Sequence, residues 1–372
     1  MLRILHVLGC SDAGGMSSVV LNYYRFLDRE KIHFDIALTV PEEGQNSRAL
    51  RALGAEIFFI PQKSRDMEGF RRELSRILTE GQYDGIHVHE SETCFVALKL
   101  AGKLGIPCRI AHAHTSSPYE GIKGEVRRLA GCVLNCRYAS HVIACGALAG
   151  DRVFGKHNMK RSKALVLPNA VDTEQFAFDP ACRAEMRREL GVEGKTVLGM
   201  VGRLSEEKND LFPLKFLPEL RKKHPDVVLL MAGNGPEEEK IREEIRRLHL
   251  EENVRLLGRR SDVARLLQAF DIFLLPSLHE GFPVCAVEAL ASGLPVLLSD
   301  RITRELDFAQ GLQYLSLEKP EDWIEAAEAW SADRDREQRQ NQVRAHGLDL
   351  RDCAGMLQNI YEEDCGKGKR HG

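Results

Sequence analysis

Runs of apolar residues alternate with amphipathic segments along most of the chain. In the first half these runs are rich in Val, Ile, Leu and Ala and are short enough to be buried strands. Strands are predicted at Arg3 to Leu8, Phe34 to Val40, Ile57 to Ile60, Ile86 to His89, Arg109 to His112, His141 to Ala144 and Leu165 to Leu167. The segment Arg65 to Glu80 is typical of the helices between them, because its apolar residues fall on one face. This alternation predicts parallel sheets covered by helices.

The second half of the chain repeats the scheme. Three further apolar runs, Thr196 to Val201, Val227 to Met231 and Asp271 to Leu275, are each followed by a loop and then by a helical pattern. A chain of 372 residues exceeds the usual size of one hydrophobic core. Two domains, each with its own sheet, are therefore predicted.

Two glutamates, Glu280 and Glu288, form the most informative chemical pattern. The strand before them stops at Pro276, and the following loop carries Glu280 before Pro283 opens a helix. Free N–H groups at a helix start favour an anion such as phosphate, and carboxylates accept hydrogen bonds from hydroxyls. An isolated pair of this kind is more often an acid near a helix dipole and a solvent-facing side chain. The pattern therefore needs support from elsewhere in the chain.

The loop after the strand Thr196 to Val201 gives that support. Arg203 and Lys208 follow this strand, and ligands of open α/β sheets bind at the carboxyl ends of strands. A guanidinium with a nearby ammonium group can hold a diphosphate without a metal ion. The neighbouring Glu206 and Glu207 leave open the alternative of an ordinary solvated loop.

Glycines mark two more turns at strand ends. Gly233 to Gly235 follow the strand Val227 to Met231, and Gly14 and Gly15 follow the first strand. Glycine lets the backbone approach a ligand closely. A dinucleotide-binding oxidoreductase would have G-x-G-x-x-G at the first turn of the chain, and the spacing here does not match it.

These segments together resemble the retaining family-4 glycosyltransferases, which have the GT-B architecture. The resemblance covers nearly the whole chain. Its motifs are Gly202-Arg203 with Lys208, Gly233-Asn234-Gly235-Pro236, Leu257-Gly258 with Ser261-Asp262, Glu280 with Glu288, and Pro168-Asn169-Ala170-Val171-Asp172. From Leu278 to Asp300 the chain looks most similar to bacterial enzymes of capsular and exopolysaccharide synthesis.

The resemblance implies an α/β fold of the GT-B type, with two Rossmann-like parallel-sheet domains facing a central cleft. It places an acceptor-binding domain at residues 1–172 and a nucleotide-sugar-binding domain at residues 173–355. A C-terminal helix at 356–372 would cross back to the first domain and end in a frayed tail. Closure of the cleft would hinge near Asn169 to Asp172.

The resemblance also implies roles for individual residues. The catalytic candidates are Glu280, His114, Arg203 and Lys208. The donor-binding candidates are Gly15, Met16, Gly202, Arg203, Lys208, Asn234, Arg260, Ser261, Glu280, Gly281, Phe282, Pro283 and Glu288. The acceptor-side candidates are His89 and His114. The two basic residues would stabilise a departing diphosphate, so no metal and no cofactor are expected.

Four histidines, His87, His89, His112 and His114, collect at two strand ends. Alternation along a strand places His87 and His89 on one face of it, and His112 and His114 on one face of the next. Such a group could bind zinc, but no carboxylate or cysteine pattern completes a zinc site here. We therefore interpret His112 as structural and expect no metal.

Composition limits the classes of partner. The net charge is −3, so no nucleic-acid partner is expected. No stretch reaches the roughly 18 to 20 apolar residues that span a bilayer. The first residues suit a strand better than a signal peptide, and the ten cysteines include no C-x-x-C pair. A cytoplasmic protein with reduced cysteines is expected.

Positive charge is concentrated between Gly121 and Lys163. There Ile122, Val126, Leu129 and Val133 recur at helical spacing among basic residues. This pattern fits a basic amphipathic helix on an anionic membrane surface, and it also fits an ordinary solvated helix. The sequence leaves both interpretations open.

The sequence thus predicts transfer of a sugar from a nucleoside diphosphate sugar to a hydroxyl acceptor, with retention as the resemblance implies. The acceptor would be a lipid-linked saccharide of cell-surface polysaccharide synthesis. One alternative is a sugar-nucleotide 2-epimerase of the same fold, which needs no acceptor. Another is a noncatalytic protein that binds nucleotide sugars.

Overall fold

The chain forms two compact units. The structure is a computed structural model that describes residues 1–9, 15–40, 43–90, 93–114, 121–161, 163–330 and 335–368. One unit comprises Met1–Asn169 with Leu350–Gly372, and the other comprises Ala170–Asp349. The division thus falls at residues 169 and 349 rather than at the predicted 172 and 355. The reason is that Val171 forms a β-bridge with Asp349 inside the second unit. Gly14 and the end of the predicted tail, 369–372, lie outside the described residues.

The first unit contains a parallel sheet, as the alternating pattern predicts. Its described strands are β1 (Leu2–Leu8), β2 (Ile32–Leu38), β3 (Ile57–Phe59), β4 (Gly85–Val88), β5 (Cys108–Ala113), β6 (His141–Ala144) and β7 (Ala164–Val166). Their order in the sheet is β3-β2-β1-β4-β5-β6-β7, and each pair of neighbours is parallel. The carboxyl ends of these strands therefore share one edge of the sheet.

Helices connect the strands of the first unit, and the last helix of the chain also belongs to it. The described helices of this unit are α1 (Gly15–Phe26), α2 (Gln45–Ala52), α3 (Met67–Glu80), α4 (Cys94–Lys103), α5 (Gly121–Tyr138), α6 (Ala147–Val153), α7 (Lys156–Met159) and the final α16 (Leu350–Gly368). Helix α16 packs against α1, β1 and β5. It begins six residues before the predicted position of 356, at Leu350.

The second unit has its own parallel sheet. Its described strands are β8 (Thr196–Val201), β9 (Val227–Ala232), β10 (Val254–Gly258), β11 (Ile272–Leu275), β12 (Val296–Ser299) and β13 (Leu312–Leu315). Their order is β10-β9-β8-β11-β12-β13. The described helices are α8 (Pro180–Glu189), α9 (Pro213–Lys223), α10 (Glu238–Arg247), α11 (Val263–Ala269), α12 (Val284–Ala291), α13 (Pro320–Trp330), α14 (Arg336–Arg339) and α15 (Gln342–Ala345).

Both faces of the second sheet are buried. Val197 of β8 joins the apolar cluster on one face, while its neighbour Leu198 joins the cluster on the other. Strand β9 alternates in the same way between Val228 and Leu229. A sheet covered on both sides keeps its functional groups at its edge, where the loops after β8, β9 and β11 meet.

Candidate active site

The loops that follow β8 and β11 are joined by hydrogen bonds. The backbone N–H of Leu278 donates to the Glu207 carbonyl at 2.8 Å, and the Asn209 side-chain amide donates to the Pro276 carbonyl at 3.1 Å. Asn209 has φ 55° and ψ 43°, a left-handed conformation that turns the chain after a short 3-10 helix at Glu206–Lys208. The two loops therefore form one surface at the edge of the sheet.

Lys208 and Glu280 meet on this surface. The Lys208 Nζ lies 2.5 Å from Glu280 Oε1, and the Ser277 hydroxyl donates to the same oxygen at 2.7 Å. Burial lowers the pKa of Lys208, but nearby Cys285 and the Glu280 carboxylate outweigh it, so the pKa is raised overall. Two catalytic candidates that are 72 residues apart in the chain are thus in direct contact.

Glu288 lies within α12, three residues after Cys285. Burial raises the pKa of its carboxyl to about 7. Burial also raises the pKa of the Cys285 thiol to about 12, where Lys208 opposes the shift and Glu280 and Glu288 add to it. Lys208, Glu280 and Glu288 therefore all act electrostatically on the Cys285 thiol and form one electrostatic group.

Arg203, the second basic candidate, is exposed on the loop after β8. Its side chain has no hydrogen bond or ion pair to any residue that the structure describes. Gly202, next to it, donates its N–H to the Ala232 carbonyl at 3.0 Å. Arg203 thus sits on the Lys208 loop with its guanidinium unengaged by the described chain.

The residues before α12 differ slightly from the sequence prediction. Gly281 and Phe282 belong to the loop, and Pro283 caps the helix, which begins at Val284 rather than at Pro283 itself. The Pro283 carbonyl accepts the N–H groups of Ala286 and Val287 at 3.0 and 3.2 Å. The predicted order of strand, acidic loop and buried helix is confirmed.

The loop after β9 packs directly on the loop after β8. Gly233 has φ 149°, and a Cβ there would lie 1.7 Å from the Gly202 carbonyl oxygen. A Cβ on Gly235 would lie 2.0 Å from the Leu204 carbonyl oxygen, so both positions require glycine. Asn234 between them accepts the Leu204 N–H through its carbonyl at 3.0 Å, and its side chain is exposed.

Arg260 and Ser261 follow β10. The Arg260 guanidinium donates twice to Asp262, at 2.8 and 2.6 Å, and this bidentate pair lowers the pKa of the Asp262 carboxyl. Ser261 is exposed. Arg260, a donor-binding candidate, is therefore already paired with Asp262, and the sequence analysis did not predict this pair.

The first unit contains a cavity of about 450 Å³ at the carboxyl ends of its strands. Gly9, Thr39 and His89, which follow β1, β2 and β4, line it together with Met16 of α1. Two site candidates, Met16 and His89, thus share one cavity. Gly15 is the first residue of α1.

The same cavity contains residues that the sequence analysis missed. Lys63 forms an ion pair with Glu90 and donates to the Thr93 hydroxyl at 2.9 Å, and all three line the cavity. No sequence motif identifies these residues, because Lys63 comes from the loop after β3, whereas Glu90 and Thr93 come from the loop after β4. Asp210 in the second unit was missed for a similar reason, although it accepts the Ser205 N–H at 2.8 Å and shapes the Lys208 loop.

His114, the remaining catalytic candidate, contacts His89. The His114 Nε2 lies 2.7 Å from His89 Nδ1, directly beyond the ends of β5 and β4. Within each of two histidine triplets, His6-His87-His89 and His89-His112-His114, the ring nitrogens that could bind a metal ion lie within 4.8 Å of one another. Most of these nitrogens form hydrogen bonds with a neighbouring ring.

Helix α5 has an apolar face directed to solvent. Ile122, Val126, Leu129 and Val133 are between 56% and 85% exposed. Spacing of four, three and four residues places them on one side of the helix. Helix α5 is therefore not an ordinary solvated helix, because its exposed stripe is apolar. Across the described residues, no helix combines the length and apolar character needed to cross a membrane.

Comparison with known proteins agrees with this architecture. The family model "Glycosyltransferase Family 4" matches residues 13–175, and "Glycosyl transferases group 1" matches residues 183–345. The chain is 34% identical over 369 residues to EpsF of Bacillus subtilis (strain 168), a protein assigned to the glycosyltransferases, with 96% of each chain covered. It is 29% identical over 322 residues to an Escherichia coli UDP-Gal:alpha-D-GlcNAc-diphosphoundecaprenol alpha-1,3-galactosyltransferase, with 80% of this chain and 79% of the relative covered.

Solved structures show the same fold. Anabaena HepE in complex with UDP superimposes with a TM-score of 0.78 at 19% identity, covering 98% of this chain and all of HepE (100%). WaaG, a glycosyltransferase involved in lipopolysaccharide biosynthesis, superimposes with a TM-score of 0.69 at 16% identity, covering 96% and 99% of the two chains. The two parallel-sheet units are those of the GT-B fold. The chain belongs to the family-4 glycosyltransferases.

Proposed function

We propose that this glycosyltransferase moves a sugar from a nucleoside diphosphate sugar to a hydroxyl group of a lipid-linked saccharide, with retained anomeric configuration and without a metal ion. The observation that carries the proposal is the contact between Lys208 and Glu280 at the carboxyl edge of the second sheet, with Glu288 in the helix that follows the Glu280 loop. A cation and two carboxylates at this edge match the needs of a ligand that has both phosphates and hydroxyls.

The chemical step creates charge on the departing diphosphate. Lys208 keeps its proton because its pKa is raised, and Arg203 on the same loop has no competing partner among the described residues. Both cations would stabilise the diphosphate as the glycosidic bond to it breaks. Glu280, held by Lys208 and Ser277, would orient the sugar hydroxyls, and Glu288 would accept hydrogen bonds from the ribose. The acceptor's proton would leave with the diphosphate.

The acceptor would occupy the cavity of the first unit. Its volume of about 450 Å³ suits a saccharide, and Lys63, Glu90 and Thr93 offer polar groups for hydroxyls. The name of the Escherichia coli relative describes an acceptor linked to a diphospholipid. Such an acceptor carries its reactive sugar at a membrane surface, so the enzyme would need to reach that surface.

Helix α5 would provide this contact by docking on an anionic lipid surface at the inner face of the cytoplasmic membrane. Its exposed apolar stripe is flanked by the exposed basic residues Lys123, Arg127 and Arg137. Apolar residues enter the interface while Lys and Arg attract acidic headgroups, each by about 1 kcal/mol. Charge complementarity thus favours an anionic membrane as the occupant of this face.

Transfer can be tested with radiolabelled nucleotide sugars, offered with lipid-linked or free saccharides. We expect label in the lipid-linked product, with the anomeric configuration of the donor. Isotope exchange at the second carbon of the sugar without an acceptor would support the epimerase alternative instead. Calorimetric binding of a nucleotide sugar with neither transfer nor hydrolysis would support the noncatalytic alternative.

Membrane docking can be tested by co-sedimentation with vesicles that contain phosphatidylglycerol. The double variant Val126→Asp, Leu129→Asp places charges on the stripe and should lower vesicle binding at least about tenfold. Met356→Asp is the matched control, because Met356 is an exposed apolar residue of the same unit on α16. Binding of the wild type should weaken with salt; equal binding by all three proteins would contradict the docking face.

A further inference from the structure

Five histidines and one tyrosine of the first unit lie in a single buried group. The histidines belong to β1, β4, β5 and the residues just beyond the last two strands, and the tyrosine belongs to α16. We call this group the histidine chain; its members, in spatial order, are His112, His87, Tyr361, His6, His89 and His114. All except His114 are at most 2% exposed.

Hydrogen bonds connect the first four members. His112 Nδ1 lies 3.1 Å from His87 Nε2, and His87 Nδ1 lies 2.6 Å from the Tyr361 hydroxyl. That hydroxyl lies 3.4 Å from His6 Nε2. Tyr361 therefore links two histidines that belong to different strands.

The connection continues from His6 to the edge of the sheet. His6 Nδ1 lies 3.0 Å from His89 Nε2, and His89 Nδ1 lies 2.7 Å from His114 Nε2. The nitrogens left over at the two ends, His112 Nε2 and His114 Nδ1, are buried and have no hydrogen-bond partner within the described chain. Each link thus joins Nδ1 of one histidine to Nε2 of the next, either directly or through the Tyr361 hydroxyl.

This connectivity restricts where the protons are. Burial lowers the pKa of His6 and His114 to about 3 and lowers that of the other three histidines well below its usual value, so all five rings are neutral. A neutral imidazole has one donor and one acceptor nitrogen. If every link is a hydrogen bond, either all five histidines carry the proton on Nδ1 or all five carry it on Nε2. Mixed tautomers would leave a link with two protons or with none.

The contact lengths at Tyr361 favour one of these two states. O–H donors make shorter hydrogen bonds than N–H donors, with usual distances of about 2.7 Å and 2.9 Å respectively. The contact of 2.6 Å between Tyr361 and His87 Nδ1 therefore fits donation by the hydroxyl. Donation in that direction places the proton of every histidine on Nε2, and the free nitrogen of His114 then carries a lone pair.

We infer that the histidine chain acts as one tautomeric unit that presents His114 Nδ1 as a hydrogen-bond acceptor to a substrate hydroxyl, with Tyr361 as the positioning residue. The inference rests on the proposed transfer function for the identity of that substrate. His114 lies at the strand edge where ligands of such sheets bind, and it is the member of the chain closest to solvent. The hydroxyl belongs either to the transferred sugar or to the acceptor.

Nitrogen NMR of protein labelled with 15N in its 13 histidines tests the tautomers directly. Single histidine substitutions assign the signals. We expect the five members of the chain to show one common tautomer, with the proton on Nε2. Tyr361→Phe removes the central link, so at least one histidine should change its tautomer population. Tyr24→Phe is the matched control, because the Tyr24 hydroxyl lies near His33, outside the chain.

Mixed tautomers in the wild type would overturn the inference, and so would a stoichiometric metal ion found in the purified protein by elemental analysis. The tautomers seen in the wild-type spectrum test the inference even if Tyr361→Phe fails to fold.

For a folded Tyr361→Phe variant we expect kcat/KM to fall about tenfold, whereas Tyr24→Phe should retain wild-type values. A higher KM for the nucleotide sugar assigns the hydroxyl to the transferred sugar, and a higher KM for the saccharide assigns it to the acceptor. Kinetics unchanged by Tyr361→Phe would overturn the role in presenting His114.

The two proposals can fail separately. Uniform tautomers in a protein that transfers no sugar would refute the proposed function and leave the tautomeric unit intact. Efficient transfer by a protein with mixed tautomers would refute the tautomeric unit and leave the proposed function intact.

Discussion

Glu288 should make the protein less stable as the pH rises. Its carboxylate lies partly buried in α12, and the structure records no hydrogen bond or ion pair to it from the residues it describes. Burial disfavours the charged form and raises the pKa of this carboxyl to about 7, against 4.5 when it is exposed. The native state therefore holds this proton more tightly than the unfolded chain. The stabilisation is complete below pH 4.5 and is lost as the pH rises through 7.

The magnitude follows from the two pKa values. Between pH 5 and pH 8 the wild type should lose about 2.5 kcal/mol of unfolding free energy through this group alone. Glu288→Gln keeps the shape of the side chain but does not titrate. The free energy of unfolding of the variant, relative to the wild type, should therefore rise by about 2.5 kcal/mol over the same interval.

Urea unfolding of both proteins at the two pH values measures this difference. Comparison of the variant with the wild type cancels the contribution of every other titrating group. Glu251→Gln, at an exposed glutamate of the same unit, is the matched control and should follow the wild type. If Glu288→Gln and the wild type changed in parallel, the carboxylate would be solvated or paired, and its description as a buried carboxyl with a raised pKa would be wrong.

Two further predictions concern the loops of the second unit. Lys208→Met and Glu280→Gln should each lower kcat/KM for sugar transfer at least about 100-fold with little loss of stability. Because the two side chains touch, kcat/KM of the double variant should fall by less than the product of the two single fold losses. A fold loss equal to that product would show that the contact has no part in catalysis. Gly233→Ala should lower the midpoint of thermal unfolding strongly, since its Cβ would meet a backbone oxygen at 1.7 Å. Gly258→Ala, with φ 65° and open space, should cost only about 1–2 kcal/mol, and equal losses would contradict the close packing of the loops.

Much of the fold follows from local patterns. The strand His141–Ala144 and the strand Thr196–Val201 have the predicted bounds, since a continuous apolar run marks a strand buried on both faces. The acidic loop before α12 follows equally from Pro276 and Pro283, which stop the strand and open the helix. These features depend on residues that are neighbours in the chain.

The remaining features depend on residues that are far apart in the chain. Tyr361 contacts His87 across 274 positions, so no periodicity relates them, and His6 gives no signal within its own strand. Lys63 joins the cavity of the first unit through a loop with no motif. The orientation of α5 was also undecided, because helical spacing defines a stripe but does not say whether the stripe faces the core or the solvent. Only the fold settles that its apolar side is exposed.

The central claim is that Lys208, Glu280 and Glu288 hold a nucleoside diphosphate sugar. Isothermal titration of UDP, GDP and ADP into the wild type, Lys208→Met and Glu288→Gln tests it most directly. We predict that one nucleotide binds the wild type and that both substitutions weaken it at least about tenfold, because Lys208→Met removes a cation that pairs with the diphosphate and Glu288→Gln removes a carboxylate that accepts hydrogen bonds from the ribose. Binding of equal strength by all three proteins would contradict the claim.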